Sequence, residues 1–112
     1  MSSMKKVMLV TGSSRGIGAE IALLAGRSGY RVGVNYLHSK DAAQQVVKQI
    51  QQADGEAIAL QADVSQLGEV VAMFKLLDAA FGAPDVLVNN AGVLASFRID
   101  AADDRNVGYL TG

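Results

Sequence analysis

The chain has 112 residues, half of them hydrophobic, a single proline and a formal net charge of −1. That composition is enough for one small domain with a core and excludes two full domains, a disordered chain and the basic excess of a nucleic-acid surface. With no cysteine and one histidine, His38, a disulfide framework, a thiolate zinc site and a cysteine nucleophile are excluded as well.

The Lys5-Lys6 pair precedes only the short apolar run Val7-Met8-Leu9-Val10, far below the length of a signal peptide's core or a membrane span. A cytoplasmic location is expected. The first strand is predicted over Lys6–Val10. Thr11-Gly12-Ser13-Ser14-Arg15-Gly16-Ile17-Gly18 then leads into an Ala/Leu-rich helical pattern, so the stretch reads as strand, glycine turn and helix. A dinucleotide's pyrophosphate needs backbone N–H groups aimed at it, and a helix N-terminus supplies them together with positive dipole charge. Gly12 turns the chain, Gly16 lets the backbone approach the phosphates, and Gly18 lets the helix pack close to the sheet.

The first helix is predicted over Gly16–Ser28, with Ile17, Ile21 and Leu24 at helical spacing and the small residues Gly18, Ala22 and Ala25 on a neighbouring stripe; Gly29 ends it as a left-handed cap. A second strand at Arg31–Tyr36 is followed by Ser39 as an N-cap and a helix burying Ala43, Val46, Val47 and Ile50. After the Asp54-Gly55 turn, a third strand covers Glu56–Ala62 and runs into Asp63-Val64, with Ser65 placed to cap a helix whose apolar face carries Val70, Phe74, Leu77 and Phe81. Gly82 and Pro84 stop that helix, and Val86–Asn89 is a fourth, almost wholly apolar strand. Strand and helix alternating at this spacing imply parallel βαβ units with right-handed crossovers. The expected fold class is α/β, a Rossmann-type doubly wound parallel sheet with strand order 3-2-1-4, formed by residues 1–112 as one dinucleotide-binding domain. All three motifs then fall at the strands' carboxyl ends, beside the switch point between strands one and four.

The G-x-x-x-G-x-G spacing of Gly12, Gly16 and Gly18, with Asp63-Val64 after the third strand and Asn89-Asn90-Ala91-Gly92 after the fourth, resembles the short-chain dehydrogenase/reductase family from about Lys6 to about Leu94. The resemblance implies a nicotinamide dinucleotide cofactor. It assigns Gly12, Gly16 and Gly18 to the cofactor turn, with a phosphate-binding N–H from Ile17. It gives Asp63 the adenine amino group and Val64 the adenine ring. Asn90 is expected to brace neighbouring strands while Ala91 and Gly92 pass beside the nicotinamide ribose. Thr11 has two readings of equal weight: a hydroxyl that ties the loop to a neighbouring strand, or a β-favouring residue at a strand end. Ser13, Ser14 and Arg15 lie between the first two glycines, where a guanidinium can pair with a phosphate ester; the alternative is a solvated loop.

Cofactor choice is read from the end of the second strand, where an acid would bond the adenosine ribose and repel a 2′-phosphate. Val34-Asn35-Tyr36-Leu37-His38-Ser39-Lys40 contains no acid. Asn35, Arg15 and Lys40 therefore form an expected neutral-to-basic pocket that favours NADP(H) over NAD(H).

The family's reaction, hydride transfer between the nicotinamide and an alcohol or carbonyl, uses a tyrosine whose pKa is lowered by a lysine four residues later. The last lysine is Lys75, so no such pair stands beyond the cofactor motifs, and the expectation is that the chain carries none. No catalytic residue is carried over. The chain is thus expected to be the cofactor-binding half of an oxidoreductase, with Val86-Leu87-Val88 as an exposed parallel edge and a homo-oligomer as a possible assembly. Two other readings stay open: a non-catalytic dinucleotide-binding or interaction module, and an unstable remnant.

Overall fold

The apolar runs form four parallel strands joined by three helices in a computed structural model that describes residues 5–91. In chain order these are β1 (Val7–Val10), α1 (Gly16–Arg27), β2 (Arg31–Tyr36), α2 (Lys40–Gln52), β3 (Glu56–Gln61), α3 (Leu67–Ala80) and β4 (Val86–Val88). The sheet order is β3-β2-β1-β4, the expected 3-2-1-4 arrangement.

Because side chains alternate across a strand, each strand serves two cores. Val10, Val32, Val34, Tyr36 and Ala57 pack with α1 and α2 on one face, while Val7, Leu9, Leu60 and Leu87 pack with Val70, Met73 and Leu77 of α3 on the other. Burial on both faces is why these strands read as nearly continuous apolar runs. Gly33 interrupts the run in β2 for a steric reason: a Cβ there would stand 3.0 Å from Leu9 Cδ1 and 3.1 Å from Leu77 Cδ1.

Helix α1 packs through its stripe of small residues, as Gly18, Ala22 and Ala25 led us to expect. The stripe Ile17, Ile21 and Leu24 is not its buried face: Ile17 is 74% exposed, Leu24 is 61% exposed and Ile21 is half-buried. Gly18, Ala22, Ala25 and Gly26 are buried instead. The small face wins because the helix lies close against its neighbours, and a Cβ on Gly26 would already meet Ile50 Cγ2 of α2 at 2.8 Å. Helix α3 also starts differently from its predicted cap. Its N-cap is Gln66, and Ser65 bonds to Asp63.

The register sets up the site. Val10 of β1 pairs with Val34 of β2 on one side and with Val88 of β4 on the other. The next residue in each strand, Thr11, Asn35 and Asn89, therefore stands level with the others at the carboxyl edge of the sheet. At the opposite edge Asp85 ties β4 to β1, its carboxylate accepting the Val7 N–H at 2.8 Å and its own N–H donating to the Val7 carbonyl at 2.8 Å. Among the described residues β4 pairs only with β1, so its other side is an edge, and no helix is long and apolar enough to cross a membrane.

Candidate functional site at the carboxyl edge

Burying a polar side chain is costly unless it is hydrogen-bonded, so buried polar residues mark places where the fold is committed to a geometry. Among the described residues three polar side chains are buried, Thr11, Ser13 and Asn35, and all three belong to the glycine turn or its supports.

Thr11 ends β1. Its N–H donates to the Val88 carbonyl at 3.0 Å, its hydroxyl donates to Asn89 Oδ1 at 3.2 Å, and the same oxygen accepts the Ala91 N–H at 3.1 Å. Of its two readings, the tie to the neighbouring strand is the one present. Asn90 reinforces the tie by donating to the Gly12 carbonyl at 3.0 Å. Gly12 and Gly16 adopt φ of +58° and +63°, a conformation that costs a residue with a Cβ about 1–2 kcal/mol. Open space surrounds Gly16, whereas Gly18 is packed against the turn. The predicted role of Gly18 as a close contact with the sheet is thus replaced by close contact with Gly12, Ser13 and Asn90.

Ser13 turns inward. It is buried, with its hydroxyl donating to the Val10 carbonyl at 2.7 Å, so only its backbone belongs to the surface of the turn. Ser14 is half-buried, and Arg15 and Ile17 are exposed. Arg15 is the N-cap of α1 but provides no side-chain cap, and no acidic residue occupies the first turn, unlike α2 with Asp41 and α3 with Glu69. The opening N–H groups of α1 have no intrahelical partner by helix geometry, and neither the cap side chain nor the first turn supplies a negative charge to compensate them.

The guanidinium of Arg15 extends across to donate to the Ser39 hydroxyl at the N-cap of α2, beside exposed Lys40. Ser39 is the N-cap residue of α2 as expected, but its hydroxyl makes no cap bond to the helix and accepts from Arg15 instead. Asn35 is not part of this basic rim. It is 2% exposed, and its amide is engaged by the Gly12 N–H and by carbonyls of β3 and the residue after it, so the expected pocket of Asn35, Arg15 and Lys40 reduces to Arg15, Ser39 and Lys40.

Beyond the turn lies a cavity of about 230 Å³ lined by Gly12, Asn35, Leu37, Ala62, Asp63, Val64, Ser65 and Ala91. Asp63 sits at its rim. Ser65 donates its hydroxyl at 2.6 Å and its N–H at 3.0 Å to the Asp63 carboxylate, and these bonds, hydroxyl first, hold that carboxyl below the ordinary aspartate range; nearby His38 acts in the same direction. Glu69 accepts the Asp63 N–H at 2.8 Å. Leu37 escaped the sequence reading, although it is an apolar residue in a polar loop; the Gln61 amide holds its carbonyl at 3.1 Å. A larger hollow of about 370 Å³ lies between α1 and α2 near Leu23 and Gln49, remote from every motif.

Gly92 lies outside the described residues. The expectation that no Tyr-x-x-x-Lys spacing occurs is incorrect: Tyr36 and Lys40 have it. They are nevertheless divided by the fold, with the Tyr36 side chain in the core beneath α1 and α2 and Lys40 exposed at the start of α2. No group of three or more histidine, cysteine, aspartate or glutamate side chains among the described residues could hold a metal ion.

Residues 6–108 match the model of the short chain dehydrogenase family. The chain is 51% identical over 90 residues to a 3-oxoacyl-[acyl-carrier-protein] reductase of Staphylococcus epidermidis, covering 80% of this chain and 37% of that protein. It is also 51% identical over 88 residues to the uncharacterized oxidoreductase YgfF of Escherichia coli, covering 79% of this chain and 36% of that one. Among solved structures, an actinorhodin polyketide ketoreductase with NADPH superposes with a TM-score of 0.75 at 36% identity, covering 81% of this chain and 34% of the other. A hydroxysteroid dehydrogenase from Escherichia coli gives 0.73 at 36% identity, covering 82% and 40%. The chain therefore spans little more than a third of the length of the curated relatives it matches. On the glycine turn, the four-stranded parallel sheet and these matches, the chain belongs to the short chain dehydrogenase family.

Proposed function

We propose that this region binds a nicotinamide dinucleotide, with NADP(H) preferred over NAD(H), as the cofactor-binding part of an oxidoreductase acting on an alcohol or carbonyl. The observation that carries the reading is the uncapped N-terminus of α1, with no acid in its first turn, opening from a turn of glycines at the junction of β1 and β4. An anion is the natural complement of that end of the helix, and Gly16 leaves space for its approach.

In this reading the N–H groups of Gly16, Ile17 and Gly18 meet the pyrophosphate. The cavity behind Gly12 takes the adenosine, with Asp63 accepting from the adenine amino group and Val64 against the ring. Ala91 and Gly92 are assigned to the nicotinamide ribose side. Arg15, with Ser39 and Lys40, receives the 2′-phosphate, and the absence of an acid between Val34 and Lys40 leaves nothing to repel it. The bound nicotinamide would supply or accept the hydride. The reductase and ketoreductase names of the relatives support a carbonyl as the reacting partner.

The test is a titration of the full chain with NADPH and NADH, followed by the fluorescence of the reduced nicotinamide. Saturable binding with NADPH the tighter ligand is expected. No binding of either cofactor would overturn the proposal, and equal affinities would overturn the preference.

A further inference from the structure

We infer that Asn35 is a positioning residue: its buried amide sets the conformation of the glycine turn and locks that turn to the exit of β3, so the phosphate and adenine ends of the site are built as one unit. The inference deepens the dinucleotide-binding reading and rests on it.

Two consecutive N–H groups of the turn end on this one residue. Gly12 N–H donates to Asn35 Oδ1 at 2.9 Å, and Ser13 N–H donates to the Asn35 carbonyl at 2.9 Å. The other end of the amide faces β3, where Nδ2 donates to the Leu60 carbonyl at 3.1 Å and to the Ala62 carbonyl at 3.2 Å. Ala62 is the residue before Asp63 and Val64. A single planar group therefore holds the left-handed Gly12 on one side and the base of the adenine wall on the other.

The side-chain chemistry required is specific. The position needs an acceptor and a two-proton donor on one short fork, which only an amide provides. Leucine would match the heavy-atom count and branching, with a bulkier end, but leave the Gly12 N–H and the two carbonyls without this partner. Aspartate would keep the acceptor yet turn a charge toward two carbonyl oxygens. Asparagine is also a poor strand former, and its presence at the end of β2 has no reason in local propensity. Although it lines the cavity behind Gly12, it is 2% exposed and its amide is committed to Gly12, Leu60 and Ala62, so its influence on binding passes through those backbone partners.

A structural asparagine that merely supports the fold would loosen all of β1 when removed, and one that contacted the ribose directly would change the preference between cofactors. A positioning residue does neither. In the full chain with Asn35→Leu, the Gly12 amide should lose hydrogen-exchange protection by at least about tenfold relative to the amides of Leu9 and Val10. NADPH and NADH should weaken together by about ten- to a hundredfold, with their ratio retained. Equal loss of protection at all three amides, an unchanged Gly12, or a ratio that shifts severalfold would overturn the inference.

Should Asn35→Leu fail to fold, Asn35→Asp carries the test. Burial and the two carbonyls push the introduced carboxyl up, and its neutral form regains one donor, so NADP⁺ affinity should recover as the pH falls from about 8 to about 5, relative to the parent chain. A pH profile parallel to the parent's would overturn the proposal. Failure of the parent chain to bind any dinucleotide would sink the functional reading alone, because Gly12 exchange needs no ligand.

Discussion

Gly18 has no side chain because the Gly12 carbonyl oxygen occupies the space one would need: a Cβ built at residue 18 lies 2.3 Å from that oxygen and 2.6 Å from Asn90 Nδ2. The oxygen is itself held by Asn90 at 3.0 Å and cannot withdraw without breaking the tie to β4. Gly18→Ala therefore sets two effects against each other. Alanine in a helix gains about 1 kcal/mol over glycine, while forced overlap in a packed site costs about 1–3 kcal/mol. Because the neighbour is backbone, the overlap should win. Urea denaturation is expected to show a lower midpoint for the variant, and an unchanged or higher midpoint would contradict the packing described.

Gly16 and Gly68 form a controlled pair. Both are exposed, both begin or lie in the first turn of a helix, and neither would meet a heavy atom within 4 Å through an added Cβ. They differ in backbone conformation, since Gly16 has φ +63° and Gly68 is not in the left-handed region. Gly68→Ala should stabilise by about 0.5–1 kcal/mol, and Gly16→Ala should destabilise by about 1–2 kcal/mol. Thermal or urea unfolding of the two variants checks the signs. The same sign for both would contradict the conformational difference.

Arg15→Ala should weaken NADPH and leave NADH nearly unchanged. A hydrogen bond to a charged group contributes about 1.5–3 kcal/mol, and at this exposed position solvent screening favours the lower end, roughly a tenfold change in dissociation constant. The same screening predicts that the NADPH preference of the parent chain declines as salt is raised. Competitive titrations at low and high ionic strength measure both effects. Loss of NADH binding equal to that of NADPH would remove Arg15 from the discrimination.

Ser65 controls the protonation of Asp63. Its hydroxyl and N–H lower the folded-state pKa of that carboxyl, so any stabilisation and any adenine contact made by the carboxylate are present above the ordinary aspartate value and are lost as pH falls through the lowered one. Ser65→Ala removes the largest of these causes. The Asp63 carboxyl should then titrate at higher pH, and the contact should be lost earlier on acidification. A carbon-detected NMR titration of Asp63 in the two chains reads this directly, with coincident curves as the contrary result.

The parallel sheet, the 3-2-1-4 order and the three motifs at one edge were legible in the chain alone. They rest on local signals: apolar runs of strand length, helical periodicity in α2 and α3, and glycines at Gly12, Gly16 and Gly29, each of which has positive φ. Right-handed crossover then leaves little freedom in how such units assemble. Less could be read wherever an outcome depended on which side chain meets which across the fold. The exposure of Ile17 and Leu24 on α1 was one such case, decided by how closely the small face of the helix approaches Ile50 and the turn. Asn35 was another. In the chain it stands near the end of an apolar strand, just before His38-Ser39-Lys40, and reads as part of a cofactor rim, whereas the register of β2 with β3 carries it under the turn and surrounds its amide with backbone partners. Ser39 and Ser65 likewise carry the composition of helix caps but bond to Arg15 and Asp63. Sequence determined the elements and their order because those follow from short-range sterics and hydrophobic patterning; tertiary structure decided the partners of each polar group, because a hydrogen bond is made with whatever the register and packing bring within about 3 Å.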